Sequence, residues 1–122
     1  MKNQFLGIDH VQVAAPAHHE VEARQFYAET LGLKEITKPE RLARNGGVWF
    51  EIGHQQLHVG VQKDFIPSQK AHPALLVENI SDIRRHLESK GVEIVYGDEL
   101  EGADRFYISD PFGNRIEIIE WL

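Results

Sequence analysis

Four side chains with metal-binding chemistry occupy matching places in the chain: His10 and His72, and His58 and Glu117. The two pairs are separated by nearly equal intervals, as an internal repeat would produce. Three neutral imidazoles and one carboxylate make an N₃O donor set suited to a single divalent ion, with Zn, Ni, Co, Mn and Fe all open. Glu117 is the member that most needs explaining. It lies in "NRIEIIEWL", where Ile116, Ile118, Ile119 and Trp121 are the residues of a buried strand. A carboxylate buried there without a partner costs several kcal/mol. Three readings are open to it: pairing with Arg105 or Arg115, facing solvent, or binding a cation. A lone strand histidine is ordinarily a hydrogen-bonded core residue, so the inference rests on the four recurring together.

The elements that must position these residues read as two copies of one unit. "IDHVQVAA" alternates as a strand, and "HEVEARQFYAETLG" places Val21, Phe26, Tyr27 and Leu31 at near-helical spacing before Gly32 ends the helix. "LKEI", "GVWFEI" and "QQLHVGV" follow as strands, the last two joined by a tight turn. After the polar loop 62–70, which carries Pro67, the order repeats. "AHPALLV" is a strand, and "SDIRRHLESKG" is a helix with Ser81 near its start, Ile83 and Leu87 one turn apart and Gly91 at its end. "VEIVY", "DRFYIS" and "NRIEIIEW" complete the set, with "DPFG" as the turn between the last two. The prediction is one α+β domain over 1–122, built from two β-α-β-β-β modules, 1–61 and 71–122. It has eight strands and two helices.

Strand alternation assigns faces to these residues. Val11 and Val13 oppose His10 and Gln12; Leu57, Val59 and Val61 oppose His58. Leu75 and Val77 oppose His72, Ala74 and Leu76, and Ile116 and Ile118 oppose Glu117. Each of the four strands therefore has an apolar face for a helix and a metal-capable residue on its reverse. The four converge if the modules curl around a shared cleft. Val48, Phe50 and Ile52 face a helix, which leaves Trp49 and Glu51 on the cavity side with Gln12. Phe106 and Ile108 go to the core, and Arg105, Tyr107 and Ser109 face the cavity. Aromatic walls with a few convergent polar groups suit a small molecule. Gln12, Trp49 and Arg105 are expected to contact substrate, and Tyr107 and Glu51 to be catalytic, with Glu51 the candidate base. Trp49 is equally suited to a core or dimer contact, and Glu51 to pairing with Arg105. His18, His19, His54 and His86 fall outside the pattern and are expected at the surface.

Composition narrows the partners. Lys and Arg number 13 against 19 Asp and Glu, a net charge of −6, which opposes nucleic acid and anionic membrane as partners. No apolar run approaches the roughly 20 residues that span a bilayer, and "MKNQFLGIDH" lacks the apolar stretch of a secretory signal. There is no cysteine, hence no disulfide, thiolate site or cysteine nucleophile. A cytoplasmic protein is the simplest expectation.

Taken together, the paired modules, "IDHVQVA" at the start, "LHV" closing the first module, "AHPALLV" opening the second and "DPFGNRIEIIE" at the end resemble the vicinal oxygen chelate superfamily. The resemblance extends over nearly the whole chain. It implies a curled, partly open eight-stranded mixed sheet and a divalent ion bound by the first and last strands of two modules. Here those positions are His10, His58, His72 and Glu117. It also implies a homodimer with its sites at or near the subunit interface. The implied chemistry is a lyase or isomerase proton transfer on a small substrate that chelates the ion through two adjacent oxygens. A ring-cleavage dioxygenase and a non-catalytic sequestration protein of bleomycin-resistance type are the alternatives in the same superfamily. Glyoxalase I members differ in carrying a carboxylate where this chain has His58. Fosfomycin-resistance members share much of "FYISDPFGNRIE" but surround a phosphonate with further cations; here "YGDELEGAD" is acidic, and no phosphonate site is expected.

Overall fold

Alternating apolar residues build two small sheets, each with one face covered by a helix. The computed structural model describes residues 2–122. Strands β1 (His10–Ala15), β2 (Lys34–Ile36), β3 (Val48–Ile52) and β4 (Gln55–Val61) form a four-stranded sheet in the order β1-β4-β3-β2. Strands β5 (Ala74–Leu76), β6 (Ala103–Ser109) and β7 (Arg115–Trp121) form a three-stranded sheet in the order β5-β7-β6. In both sheets the module's first strand lies parallel to its last, and the remaining neighbours are antiparallel. The repeat expected from the sequence is therefore present, as an open α+β architecture.

One expected strand is nearly lost. "VEIVY" makes a single bridge, Val95 to Tyr107, so the described residues hold seven strands rather than eight. Ile94 packs against the core, but Val95 and Tyr96 are exposed, and Gly97 passes directly over the Tyr107 ring. A Cβ at Gly97 would lie 2.8 Å from Tyr107 Cε2, so the chain crosses the aromatic ring instead of running beside it.

The first helix also departs from regularity. Helix α1 (Glu20–Ala23) runs straight into a π-helix, Arg24–Thr30, closed by Leu31 N–H donating to Phe26 O at 2.8 Å. The wider turn buries Ala23, Phe26 and Tyr27 but leaves Val21, expected on the same face, exposed. A one-turn helix, α2 (Glu40–Ala43), was not foreseen. Helix α3 (Ile80–Ser89) buries Ile80 and Leu87. Its cap comes from β7 and not from Ser81: the Glu120 carboxylate accepts Asn79 N–H at 3.3 Å and Ile80 N–H at 3.0 Å. An anion at that end satisfies free amides and complements the helix dipole.

The predicted faces hold in the core. Val13, Val48, Phe50, Leu57 and Val59 of the first sheet and Leu75, Phe106, Ile108, Ile116 and Ile118 of the second are buried in one core cluster with Phe26, Tyr27, Ile80 and Leu87 of the helices. The pattern fails at strand ends: Val61 and Trp121, the last residues of β4 and β7, are 37% and 58% exposed. Fewer neighbours surround a terminal position, so alternation alone overstates its burial.

The two modules are stitched together by the "DPFGN" turn. Asp110 is 5% exposed; its Oδ1 accepts the N–H groups of Phe112 at 2.9 Å and Asn114 at 2.8 Å. Its Oδ2 accepts Tyr27 O–H at 2.7 Å and Asn114 Nδ2–H at 2.8 Å. Asn114 Nδ2 also donates to Ala14 O at 2.7 Å, so a hairpin of the second module holds both β1 and the π-helix of the first. Burial, followed by the charge of Asp110 and its hydrogen bond, drives the Tyr27 hydroxyl far above its ordinary value of 10.

Removing that hydroxyl is expected to be costly. Tyr27→Phe deletes a charge-assisted bond and should lower unfolding free energy by about 1.5–3 kcal/mol at neutral pH. Tyr27 also sets an alkaline slope: above pH 10 the unfolded tyrosine ionises while the folded one keeps its proton, so stability falls as pH rises. Urea titrations at neutral and alkaline pH should show both the loss and a shallower alkaline decline in the variant.

Candidate functional site

The reverse faces of the two sheets carry the predicted residues, in two separate groups. In the second module, β6–β7 pairing sets Tyr107 opposite Glu117, and His72, expected within the strand but lying two residues ahead of β5, packs edge-on against Tyr107 with ring centroids 5.4 Å apart. His72 Nε2 lies 2.9 Å from Glu117 Oε1, and Glu117 is 6% exposed. Arg105 Nη1 stands 3.5 Å from the other carboxylate oxygen, Oε2. Of the cations open to Glu117, Arg105 is thus a partner, and Arg115 is not among its pairs.

The protons of His72 make this contact informative. His72 Nδ1 lies 2.9 Å from Lys70 O, an acceptor, so Nδ1 carries the hydrogen and donates it. In the neutral ring Nε2 then presents a lone pair to a carboxylate oxygen, acceptor against acceptor. Either a proton or a bound cation must lie between them. The distance suits a cation: two ligands about 2.1 Å from one ion at right angles lie about 3.0 Å apart. A backbone carbonyl fixing the far nitrogen is also the usual support of a ligating histidine. The donor set of this half therefore fits a divalent ion.

The first module is built by stacking. His58 is sandwiched between Trp49, with centroids 3.8 Å apart and planes at 2°, and His10, with centroids 4.3 Å apart and planes at 20°. His58 donates Nε2–H to Gln56 Oε1 at 2.8 Å and is 3% exposed. Imidazole lone pairs lie in the ring plane, and two stacked, nearly parallel rings with centroids 4.3 Å apart do not direct both lone pairs at one ion. In this arrangement His10 is the member free to ligate: its Nδ1 contacts Asp9 Oδ2 at 2.9 Å, and its other nitrogen is unconstrained. Burial, then the neighbouring His10, lowers the His58 pKa from its ordinary 6.5, and Lys38 adds to this while Asp9 opposes it.

His10, Gln12 and His72 line one cleft of about 1180 Å³ between the edge strands β1 and β5. The side-chain amide of Gln12 lies against Gly60, where a Cβ would come within 2.6 Å of its Nε2. Only glycine admits Gln12 there. Within one chain the two groups do not merge: among the described residues no three metal-capable side chains form a cluster. Glu51 is exposed on β3, in register with Lys34 and Gln56, and its alternative pairing with Arg105 does not form. His18, His19, His54 and His86 are exposed as expected, with His86 bonded to Thr30 O at 2.9 Å. Sequence reasoning missed Gln56, two residues from His58 and so on its face, a parity signal that was available. It also gave Arg115 no role beyond an alternative partner for Glu117, whereas Arg115 lies with its guanidinium carbon 3.9 Å from the Tyr107 ring centroid.

With this geometry described, comparison with known proteins places the chain in a class. It belongs to the Glyoxalase/Bleomycin resistance protein/Dioxygenase superfamily, whose model matches residues 7–118. Among solved structures, it is similar to a glyoxalase family protein from Bacillus anthracis, with 49% identity, TM-score 0.97 and 100% of both chains covered. A lactoylglutathione lyase from Agrobacterium tumefaciens shares the fold at 19% identity and TM-score 0.76, covering 97% of this chain and 96% of that one. A glyoxalase family protein from Enterococcus faecalis does so at 22% identity and TM-score 0.68, covering 98% and 100%. No match was found among curated protein sequences. No helix among the described residues is long and apolar enough to cross a membrane.

The His58 environment predicts an acid sensitivity. The unfolded histidine takes up a proton near 6.5 while the folded one resists it, so stability falls as pH drops below that value. His58→Phe keeps an aromatic ring in the stack and should lose less stability than wild type between about pH 7 and 5. Urea midpoints of the two proteins across that range check this.

Proposed function

We propose that the chain is a divalent-metal-dependent enzyme of glyoxalase type, a lyase or isomerase acting on a small substrate that presents two adjacent oxygens. The observation that carries this reading is the contact of His72 Nε2 with Glu117 Oε1 at 2.9 Å while Nδ1 is committed to Lys70 O. His72, Glu117 and His10 would hold the ion, and His58 would back His10 through the ring stack instead of ligating. The two groups lie apart within one chain, so the reading includes a homodimer in which a second copy supplies His10 to the His72–Glu117 pair.

When bound, the ion supplies Lewis-acid stabilisation of negative charge developing on a substrate oxygen. The protein's own groups do the rest. Lys70 O holds the His72 ring in place, and Arg105 holds the carboxylate of Glu117. Trp49 and Tyr107 wall the cavity, and Gln12 offers an amide to the substrate. Glu51, exposed on the same face as Trp49, takes the proton from the substrate carbon.

Metal content per subunit tests the reading directly. His72→Ala and Glu117→Ala should each abolish stoichiometric metal while the protein remains folded, and His58→Phe should retain it. Mixing His10→Ala with His72→Ala subunits should restore metal binding that neither variant shows alone. Ion kept by either the His72 or the Glu117 variant would remove the metal assignment. Glu51→Gln should leave the ion bound and abolish exchange of the substrate proton with solvent. Two histidines and one carboxylate also suit non-haem iron; oxygen uptake with a catechol by Fe(II)-loaded protein would assign ring cleavage instead.

A further inference from the structure

We infer that Arg115, Tyr107 and Ser109 form a receptor for a carboxylate on the substrate, which makes that substrate an organic acid. The inference rests on the proposed function only in placing the ligand in one cup, the sheet face shared by Arg105, Tyr107, Ser109, Arg115 and Glu117. Cross-strand pairing sets Ser109 opposite Arg115 and Tyr107 opposite Glu117, and alternation points all four to one face. The Arg115 guanidinium stacks on the Tyr107 ring with its carbon 3.9 Å from the centroid, which holds its planar fork still.

Every other arginine of this module has an acidic partner: Arg84 pairs with Asp104, Arg85 with Asp82 and Arg105 with Glu117. Arg115 has none among the described residues, and neither the Tyr107 nor the Ser109 hydroxyl meets an acceptor there. Arg105 also donates to Asp98 O at 2.7 Å, so it contributes field more than free donors.

The cup therefore holds two guanidiniums against one carboxylate in a chain whose net charge is −6. A local positive potential in an acidic protein is a device for drawing in an anion. One fixed fork and two hydroxyls match a planar two-oxygen group. A singly charged carboxylate meets both conditions.

The test compares benzoate with its neutral isostere benzamide, by calorimetry on chelator-treated protein. Benzoate is expected to bind at least about tenfold more tightly than benzamide, and Arg115→Gln to bring that ratio near one. Arg115→Lys, which keeps charge without the fork, and Ser109→Ala, which leaves the ring stack untouched, should each reduce the ratio part-way. Either serves if Arg115→Gln melts early. Equal affinity for the two probes, binding of neither, or an unchanged ratio in Arg115→Gln would overturn the inference. Metal content measured on each preparation before the chelator is added keeps the two ideas apart. Loss of benzoate preference in protein that carried the ion before chelation overturns this receptor alone, and preference intact in protein that carried no ion before chelation overturns the metal reading alone.

Discussion

Asp110 is the fixed point of the structure. Its carboxylate is buried without a cation and lives on four donors, two of them backbone amides of its own turn. The other two come from Tyr27 and Asn114. Because Asn114 bonds Ala14 O as well, the β6–β7 hairpin cannot shift without breaking its hold on β1 and on the π-helix. A one-residue slip of β7 would turn Arg115 and Glu117 away from the face they share with Tyr107 and put Ile116 and Ile118 there. The apolar core resists that slip on one side and the Asp110 network resists it at the turn. The placement of every chemically active side chain in the second module follows from this register.

The duplication gives two halves with the same backbone plan and different chemistry. The first half presents a ring stack, Trp49–His58–His10, whose central member has its pKa lowered by burial and by its histidine neighbour. The second half presents ions: Glu117, Arg105 and Arg115 around Tyr107. A symmetric pair of carboxylates would compete for one ion's charge and disfavour an anionic ligand. With a neutral-capable His58 on β4 and Glu117 on β7, the second half holds one buried carboxylate beside two guanidiniums, Arg105 and Arg115, so positive charge is left over on that face.

Much of this was legible before any coordinates. Period-two alternation in "HVQVAA", "QLHVGV" and "RIEIIE" assigned His10, His58 and Glu117 to the face opposite the core because strand geometry leaves no other choice. What escaped was everything decided between distant segments. Tyr27 and Asp110 are 83 residues apart, and no local pattern announces their bond. The stack on His58 depends on rotamers and on the register of three strands, neither of which periodicity encodes. "VEIVY" has the composition of a strand, yet Gly97 and the Tyr107 ring allow it one bridge. The π-turn at Arg24–Thr30 likewise shifts the buried face off the helical spacing that Val21 seemed to share.

The separation of the metal-capable side chains into two pairs has a physical logic. A four-ligand cage complete within one chain would assemble at synthesis and hold an ion whatever the oligomeric state. Here the His72–Glu117 pair leaves the lone pair of the neutral ring and a carboxylate oxygen facing each other at 2.9 Å, an arrangement that favours a proton or a cation between them. His10 lies across an open cleft with one nitrogen unconstrained and its side chain 45% exposed. At the surface, Phe5, Leu6 and Ile8 ahead of β1 and Ile66 and Leu76 near β5 are exposed apolar residues. Covering them by a second copy would remove apolar surface from water in the step that brings a histidine to the carboxylate, so association and site assembly would be driven by one event.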